Sequence, residues 1–224
     1  MHPPLGILML DTAFDRPVGD AGNPLSWSIP VLVERVAGAY ALPTVLGTSC
    51  DITPFVAAGN RLVERGASAI ITTCGFLVRH QKALDEALAV PILTSTLTQA
   101  HRLQRALPAS QRLAILTIDA NAFDEGVRCA ANIEPDALVF GPSADSHFVS
   151  AILEDAVSLD VERAERDWVD LAQHVQVKHP EIGAWLFECA NMPPYSNAVR
   201  RATGLPVYDT LTMGQELHAA SVSR

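Results

Sequence analysis

The stretch AIITTCGFLVRH, residues 69–80, decides the fold. Residues 69–71 form an apolar run typical of the end of a buried strand, and residues 76–78 open a segment that predicts a helix. Cys74 lies at the switch between the two. Because ligands of parallel α/β sheets bind outside the carboxyl ends of the strands, a thiol here is either a small core residue or a group placed for chemistry.

The same arrangement recurs later in the chain. Two pairs of segments match: LGILMLD (5–11) with LAILTID (113–119), offset by 108 residues, and VPILTSTLT (90–98) with LPVYDTLT (205–212), whose prolines are 115 residues apart. Adding 115 to the position of Cys74 gives Cys189, which follows the apolar run of AWLFECANMPPYSNAVRR (184–201). The two cysteines therefore occupy equivalent positions in two similar units.

Short apolar runs alternate with longer amphipathic segments along the chain, as in βαβ units with a parallel sheet. The predicted strands are residues 5–11, 42–47, 68–73, 91–94, 112–118, 137–140, 183–188 and 206–209. The predicted helices are residues 27–39, 52–65, 76–88, 96–106, 121–132, 146–157, 160–178, 196–203 and 211–221. We therefore predict an α/β fold of two similar lobes, residues 1–95 and 96–206, whose parallel sheets are related by a pseudo-twofold axis. The active site is expected in the interlobe cleft.

Composition excludes several classes of protein. Sixteen basic and twenty-five acidic side chains give a net charge of −9, and the absence of a Lys/Arg cluster argues against a nucleic-acid partner. No apolar run reaches the roughly 18–20 residues of a membrane span, and the start of the chain lacks a signal-peptide pattern, so we expect a cytoplasmic protein with no membrane partner. The four cysteines show no C-x-x-C spacing, which argues against a metal site and a disulfide scaffold. Cys50 and Cys129 have no matched partner and are expected to be structural.

Two thiols facing one substrate carbon suit the removal of a proton from one side and its delivery from the other, which inverts a stereocentre. A free thiol has a pKa of ~8.5, and amides at a helix start are expected to lower the pKa of Cys74 toward working pH. The amides near Gly75 and Phe76, and near Ala190 and Asn191, are predicted to hold a substrate carboxylate. Such contacts would stabilise a carbanion-like transition state.

The motifs TTCGFL and ECANMPPY, the duplicated plan and the loop PVGDAGNP resemble the aspartate/glutamate racemase superfamily. That superfamily includes hydantoin racemases, maleate isomerases and arylmalonate decarboxylases. The resemblance implies a cofactor-independent enzyme with one catalytic cysteine in each lobe, Cys74 and Cys189, exchanging base and acid roles. It also implies that residues 207–224 pack back on the first lobe, and it suggests a homodimer.

The chain departs from the amino-acid racemases of that superfamily at the positions that recognise substrate. Cys-Gly-Phe replaces the usual Cys-Asn-Thr at the first site, Cys-Ala-Asn replaces Cys-Thr at the second, and Asp11-Thr-Ala replaces Asp-Ser-Gly at the end of the first strand. The chemistry therefore carries over better than the substrate, which is predicted only as a small carboxylic acid.

Other polar residues follow strand ends. Asn23, in the loop of residues 15–27, is predicted to supply an amide to the substrate if this loop folds over the cleft; the alternative is an ordinary Asx turn. Thr73 and Thr117 place hydroxyls at the same edge, with β-propensity as the alternative reason for such threonines. Asp11 could orient a substrate ammonium or simply cap the next helix. Glu188 could raise the pKa of the neighbouring Cys189 thiol, but adjacent strand residues point to opposite faces, so its role is left open. The predicted substrate-binding residues are Asp11, Asn23, Thr73, Gly75, Phe76, Thr117, Ala190 and Asn191.

The first functional prediction is an isomerase that needs no pyridoxal phosphate, racemising or epimerising an amino acid or related acid. Within the same superfamily, a decarboxylase needs only one cysteine, and a cis–trans isomerase working through a covalent adduct uses two. The prediction from another class is a non-catalytic small-molecule binding protein, whose thiols would show ordinary reactivity and a pKa near ~8.5.

Overall fold

The computed structural model describes residues 2–48 and 51–223 and contains two four-stranded sheets, in which every strand pairing is parallel. The first sheet has the order β2-β1-β3-β4 and the second the order β6-β5-β7-β8. The strands are β1 (Leu5–Leu10), β2 (Val31–Val36), β3 (Ala69–Thr72), β4 (Ile92–Leu93), β5 (Arg112–Leu116), β6 (Leu138–Phe140), β7 (Ile182–Phe187) and β8 (Val207–Tyr208). Each strand of the first sheet thus has a counterpart in the second. The predicted α/β fold with parallel sheets is confirmed.

Helices fill most of the connections between strands. They are α1 (Ala41–Val45), α2 (Thr53–Glu64), α3 (Gln81–Ala87), α4 (Ala100–Ala106), α5 (Glu125–Ala131), α6 (His147–Leu153), α7 (Val161–Lys178), α8 (Ser196–Thr203) and α9 (Thr210–Val222). Four 3-10 turns complete the pattern: Pro24–Ser26, Gly75–His80, Thr96–Gln99 and Pro193–Tyr195. Within the part of the chain that the structure describes, no helix combines the length and apolar composition needed to cross a bilayer.

One region was predicted with the wrong secondary structure. Residues 27–39 were expected to be a helix and residues 42–47 a strand, whereas residues 31–36 form β2 and residues 41–45 form a short helix. The run VLVERV contains three β-branched valines, and it pairs in register with β1 from Leu5 onward. Pro43 cannot donate to a strand ladder but is tolerated in the first turn of a helix.

The apolar core extends through both lobes. One large cluster of buried apolar residues includes side chains of the first sheet and of α2, and it continues into the second lobe. Trp168, Trp185 and Phe148 are fully buried there. Phe148 meets Trp168 edge-on at a centroid distance of 5.1 Å, a favoured aromatic geometry. Because the cluster is continuous, the two sheets are held at a fixed separation and the ends of their strands face one shared space.

A smaller core covers the other face of the first sheet. Leu5, Ile7 and Ile71 pack there with Trp27 and with Met213 of α9. The ring of His218, also on α9, contacts the main-chain oxygen of Pro3 at 2.7 Å, with the ring nitrogen donating. Helix α9 therefore lies on the first sheet although β8, just before it, pairs with β7 of the second. The lobe boundaries stay a prediction.

Candidate active site

Both cysteines singled out by the repeat line the same pocket between the sheets. Cys74 follows β3 and Cys189 follows β7, the equivalent strand of the second sheet, so both lie at carboxyl ends of strands. Both side chains are buried, with 6% and 5% of their surface exposed. They come together because β3 and β7 are central strands of two sheets that pack on one shared core, and both cysteines line one pocket.

The walls of this thiol pocket are mainly apolar. Its polar lining comes from Thr73, Glu188 and Asn191, together with the two thiols. The remaining lining residues come from both lobes and are Leu10, Ala41, Val45, Gly75, Phe76, Ile118, Ile152 and Leu153. Among the described residues Glu188 is the single charged group in the lining. A ligand here would meet methyl and aromatic groups, two sulfurs and one carboxyl.

Glu188 is a site residue whose role sequence reasoning left open. It lies one position beyond the end of β7, where the strict alternation of strand faces no longer applies, and only 1% of it is exposed. Its Oε2 accepts a hydrogen bond from the hydroxyl of Thr117 at 2.9 Å. Its Oε1 lies directly against Gly75, where a β-carbon would overlap it, so a side chain other than hydrogen does not fit. A carboxyl residue inside the apolar run AWLFECA was the signal for a functional role.

Burial dominates the chemistry of Glu188. Loss of water raises its pKa to about 7, against the opposing effect of the hydrogen bonds from Thr117 and the amide of Ile118. The carboxyl therefore changes its charge near neutral pH, in contact with the backbone next to Cys74.

Cys74 is buried just before the 3-10 turn Gly75–His80. The main-chain amides of Phe76 and Leu77 favour its thiolate. Burial, followed by the nearby carboxyl of Glu188, outweighs them and raises the pKa of Cys74 to about 12. The expectation that the amides would lower this pKa below its ordinary value is wrong, because desolvation is the larger effect.

Cys189 has a different set of neighbours. Its thiol donates to Oδ1 of Asn191 at 3.3 Å, while the main-chain amide of Asn191 favours the ionised sulfur. Burial, then Glu188, raises the pKa of Cys189 well above its ordinary value, and Cys74 and Asp20 raise it further. Both thiols are thus protonated at neutral pH.

A loop from the first lobe, residues 11–27, crosses to the second lobe beside Cys189; we call it the crossing loop. Nδ2 of Asn191 donates to Oδ2 of Asp20 at 2.7 Å, and the amide of Ala21 donates to the oxygen of Ala190 at 3.1 Å. Gly19 adopts a left-handed φ of +106° against Pro194, a conformation and a close approach that favour glycine. The crossing loop therefore contacts both residues that follow Cys189.

An ion pair fixes the shape of the crossing loop. Nη1 of Arg16 lies 2.9 Å from Oδ1 of Asp20, and their side chains are only 10% and 1% exposed. The amide of Gly22 donates to the same carboxylate oxygen at 2.7 Å. Asn23 is part of this framework, because its Nδ2 donates to the main-chain oxygen of Arg16 and its Oδ1 accepts from the amide of Leu25. Its side chain does not line the thiol pocket.

Three other predicted substrate-binding residues also lie outside the pocket lining. The carboxylate of Asp11 binds Arg35 and the amide of Gly38 at the protein surface. Thr117 is fully buried, and its hydroxyl donates a hydrogen bond to Glu188. The main-chain oxygen of Ala190 accepts a hydrogen bond from the amide of Ala21 in the crossing loop. Thr73, Gly75, Phe76 and Asn191 do line the pocket.

Cys129 lies apart from this site. Cys129 is exposed on α5 and donates to Glu125, and Cys50 lies outside the described residues. Across residues 2–48 and 51–223, no group of three or more His, Cys, Asp or Glu side chains could hold a metal ion.

A larger pocket lies at the opposite edge of the second sheet, near the start of β5. Its polar groups are engaged with each other: Arg112 pairs with Asp136, and Gln104 binds the backbone at Gln111 and Leu113. Among the described residues its lining contains no thiol. The smaller thiol pocket is therefore the candidate site.

Two curated relatives cover nearly the whole chain. A dimethylsulfoniopropionate lyase from Durusdinium sp. clade D is 29% identical over 94% of this chain and 72% of its own length. Dimethylsulfoniopropionate lyase 3 from Emiliania huxleyi is 31% identical, over 94% of this chain. The chain spans only 58% of the length of that relative. No protein-family model matches the chain.

Solved structures with the same fold have lower sequence identity. A glycine-to-cysteine mutant of arylmalonate decarboxylase covers 99% of this chain and 94% of its own, with a TM-score of 0.65 and 20% identity. A glutamate racemase from Bacillus anthracis has a TM-score of 0.56 at 13% identity, covering 98% of this chain and 81% of its own. An aspartate racemase from Picrophilus torridus also has a TM-score of 0.56 and 13% identity, covering 98% and 93%. The resemblance to the aspartate/glutamate racemase superfamily is confirmed at the level of the fold.

Proposed function

We propose that this chain, which has the fold of the aspartate/glutamate racemase superfamily, is a lyase that removes a proton from the carbon next to a carboxylate. Its proposed substrate is dimethylsulfoniopropionate or a close sulfonium acid. The relatives that cover nearly the whole chain carry that activity in their names. The observation that carries the proposal is the position of two buried thiols in one apolar pocket whose lining holds a single carboxyl group.

The reaction needs one base. A cysteine thiolate takes the proton from the carbon next to the carboxylate, and the electrons of that C–H bond form a carbon–carbon double bond. The bond from the neighbouring carbon to sulfur breaks, and dimethyl sulfide leaves as a neutral molecule without needing a proton. The products are acrylate, dimethyl sulfide and one proton, held first on the cysteine.

The lining of the pocket supports a sulfonium substrate. A dimethylsulfonium group carries positive charge but no N–H donor, so it fits apolar walls such as those formed by Phe76 and Ile152. Its charge is offset by Glu188. A cation beside the sulfur also favours the thiolate, which opposes the rise in pKa that burial imposes on Cys74.

The same lining is poorly suited to amino acids and dicarboxylates. A substrate ammonium would need several acceptors, and Asp11, the residue expected to meet it, binds Arg35 at the surface. A second carboxylate would bring another negative charge near Glu188, and among the described residues no Lys or Arg lines the pocket. One carboxylate has a candidate partner in Thr73, whose hydroxyl oxygen accepts from the amide of Leu10 and whose hydrogen can be donated to a ligand.

The second candidate is the racemase or epimerase predicted from the sequence. It is favoured by one observation, that the two thiols follow equivalent strands of the two sheets and line the same pocket. Two acid/base groups on either side of one carbon are what inversion requires. Both candidates share the first step, removal of the proton next to a carboxylate.

The test compares product release with proton exchange. Purified protein is incubated with dimethylsulfoniopropionate in D₂O, with dimethyl sulfide measured by gas chromatography and acrylate by NMR. The same assay is run on D- and L-amino acids, hydantoins and arylmalonates. Cys74→Ser with Cys189→Ser is the inactive control, and Cys129→Ser is a matched control for the loss of an exposed thiol.

Equal amounts of dimethyl sulfide and acrylate, lost in the double variant and kept in Cys129→Ser, would support the lyase. Deuterium entering an amino acid or hydantoin without product release would support the racemase and contradict the lyase. No reaction with any of these compounds would contradict both.

A further inference from the structure

The side-chain amide of Asn191 is held in one orientation. Its Nδ2 donates to Oδ2 of Asp20 at 2.7 Å, and Asp20 is a carboxylate paired with Arg16, so it offers only acceptors. The amide oxygen must therefore point the other way, and it lies 3.3 Å from the sulfur of Cys189. The orientation of this amide follows from chemistry, because the reverse would place two oxygens against each other.

An amide oxygen can accept a hydrogen bond but cannot donate one, so it stabilises the S–H form of Cys189 and repels the thiolate. For Cys74 the effect of the neighbouring backbone is the opposite, because the main-chain amides of Phe76 and Leu77 favour the ionised form. For Cys189 only the main-chain amide of Asn191 acts in that direction. The two equivalent thiols are thus placed in unequal surroundings.

We infer that Asp20 and Asn191 are positioning residues that keep Cys189 as a thiol, so that Cys74 is the base. For catalysis this inference rests on the proposed function, in which a single base removes the proton. A symmetric racemase needs each cysteine to serve as base for one hand of the substrate. A fixed thiol at one position instead suits an elimination that runs from one side.

The other ionisable groups near the thiols do not reverse the difference between them. Glu188 raises the pKa of both cysteines, so it does not distinguish them. Asp20 and Cys74 raise that of Cys189 further. Tyr195, whose own pKa is raised by burial and by Asp20, has a buried hydroxyl without a hydrogen-bond partner among the described residues and adds no charge at neutral pH.

The test measures the ionisation of each thiol without any substrate. Wild-type protein is treated with iodoacetamide, a neutral reagent, over a range of pH, and peptide mass spectrometry gives a separate rate for each cysteine. The rate follows the thiolate fraction, so Cys74 is expected to react at a lower pH than Cys189. In Asp20→Asn, the amide of Asn191 is free to turn its NH₂ group to the sulfur, and Cys189 should react about tenfold faster at fixed pH. Cys74 should change by less than about twofold.

Two further variants separate orientation from charge. Asp15→Asn removes the same charge from an exposed position of the crossing loop and should leave both rates unchanged. Asn191→Ala keeps the charge of Asp20 and the main-chain amide but removes the acceptor, so Cys189 should again react faster, by about fivefold. It also provides the test if Asp20→Asn fails to fold.

Three results would overturn the inference: Cys189 ionising before Cys74 in the wild type, Asp20→Asn changing both thiols equally, or Asn191→Ala leaving the rate of Cys189 unchanged. These rates do not depend on any substrate. Failure of the lyase assay would therefore refute the proposed function alone, while a reversed order of the thiols would refute the assignment of roles alone.

Discussion

Replacing Glu188 with Gln tests the central electrostatic feature of the site. The variant keeps the shape of the side chain and can still accept from Thr117, but it carries no charge. In the folded protein burial raises the pKa of Glu188 to about 7, against an ordinary value of 4.5. Between these values the unfolded chain releases the proton while the folded protein keeps it, so wild-type stability falls as pH rises. At ~1.4 kcal/mol for each pKa unit, the loss is about 3 kcal/mol and is complete above about pH 7.

The measurement is the free energy of unfolding in urea, followed by tryptophan fluorescence between about pH 4 and about pH 8.5. Trp168 and Trp185 are fully buried in the same lobe as Glu188 and report its unfolding. The wild-type value minus the E188Q value should fall by about 3 kcal/mol across this range. Glu64→Gln, which removes an exposed carboxylate from α2, is the control and should give a difference constant to about 0.5 kcal/mol. A wild-type minus E188Q difference that does not change with pH would refute the argument that Glu188 is desolvated.

The thiols and Gly75 give two further predictions. Cys74→Ser should lower dimethyl sulfide release by about a thousandfold or more and Cys189→Ser by only about tenfold, as measured by gas chromatography; equal losses would contradict the unequal roles proposed for them. Gly75→Ala should cost about 3 kcal/mol in thermal unfolding, because the added β-carbon overlaps both the carboxyl and the main-chain oxygen of Glu188. The comparison is Gly126→Ala, where the atom nearest to the added β-carbon is the flexible end of the Arg79 side chain. Equal stability of the two variants would contradict the prediction, because it would mean that Glu188 can move away from a β-carbon at Gly75.

The fold was predictable from the sequence because matching segments in the two halves support the same strand assignments. The strand before Cys74 and the strand before Cys189 are both short and apolar, and each could be read alone as a buried helix segment. Their equal spacing from matching segments removed that ambiguity and placed both cysteines at carboxyl ends of strands, where the structure has them. The same argument predicts one cleft for the two cysteines, and both line one pocket.

The failure at residues 27–39 has a tertiary cause. The edge strand β2 has half-buried residues on both faces, so it lacks the clean alternation by which strands are recognised. What holds it is its pairing with β1 and the ion pairs of Glu34 with Arg61 and Arg65 of α2. Both are contacts between residues distant in sequence, which periodicity does not reveal.

The role of Glu188 depends on a distant contact too. Strand alternation left its role open, but it lies just beyond β7 and its carboxyl meets Gly75 of the other lobe. Asn23 was expected to reach the substrate, whereas its side chain binds Arg16 and Leu25 within the loop that carries Asp20. The position of Glu188 is thus set by the packing of the two lobes, and that of Asn23 by hydrogen bonds within its own loop.

Duplication also explains why the two thiols need not do the same work. Two copies of one unit place a cysteine at each of two matching strand ends, and by themselves they would give the two sulfurs the same surroundings. The crossing loop breaks that equivalence, because it leaves the first lobe and brings Asp20 to Asn191 beside Cys189. The crossing loop thereby turns an acceptor, Oδ1 of Asn191, toward the sulfur of Cys189. Because an elimination needs a base on one side only, this asymmetry supports the lyase that we propose over a racemase.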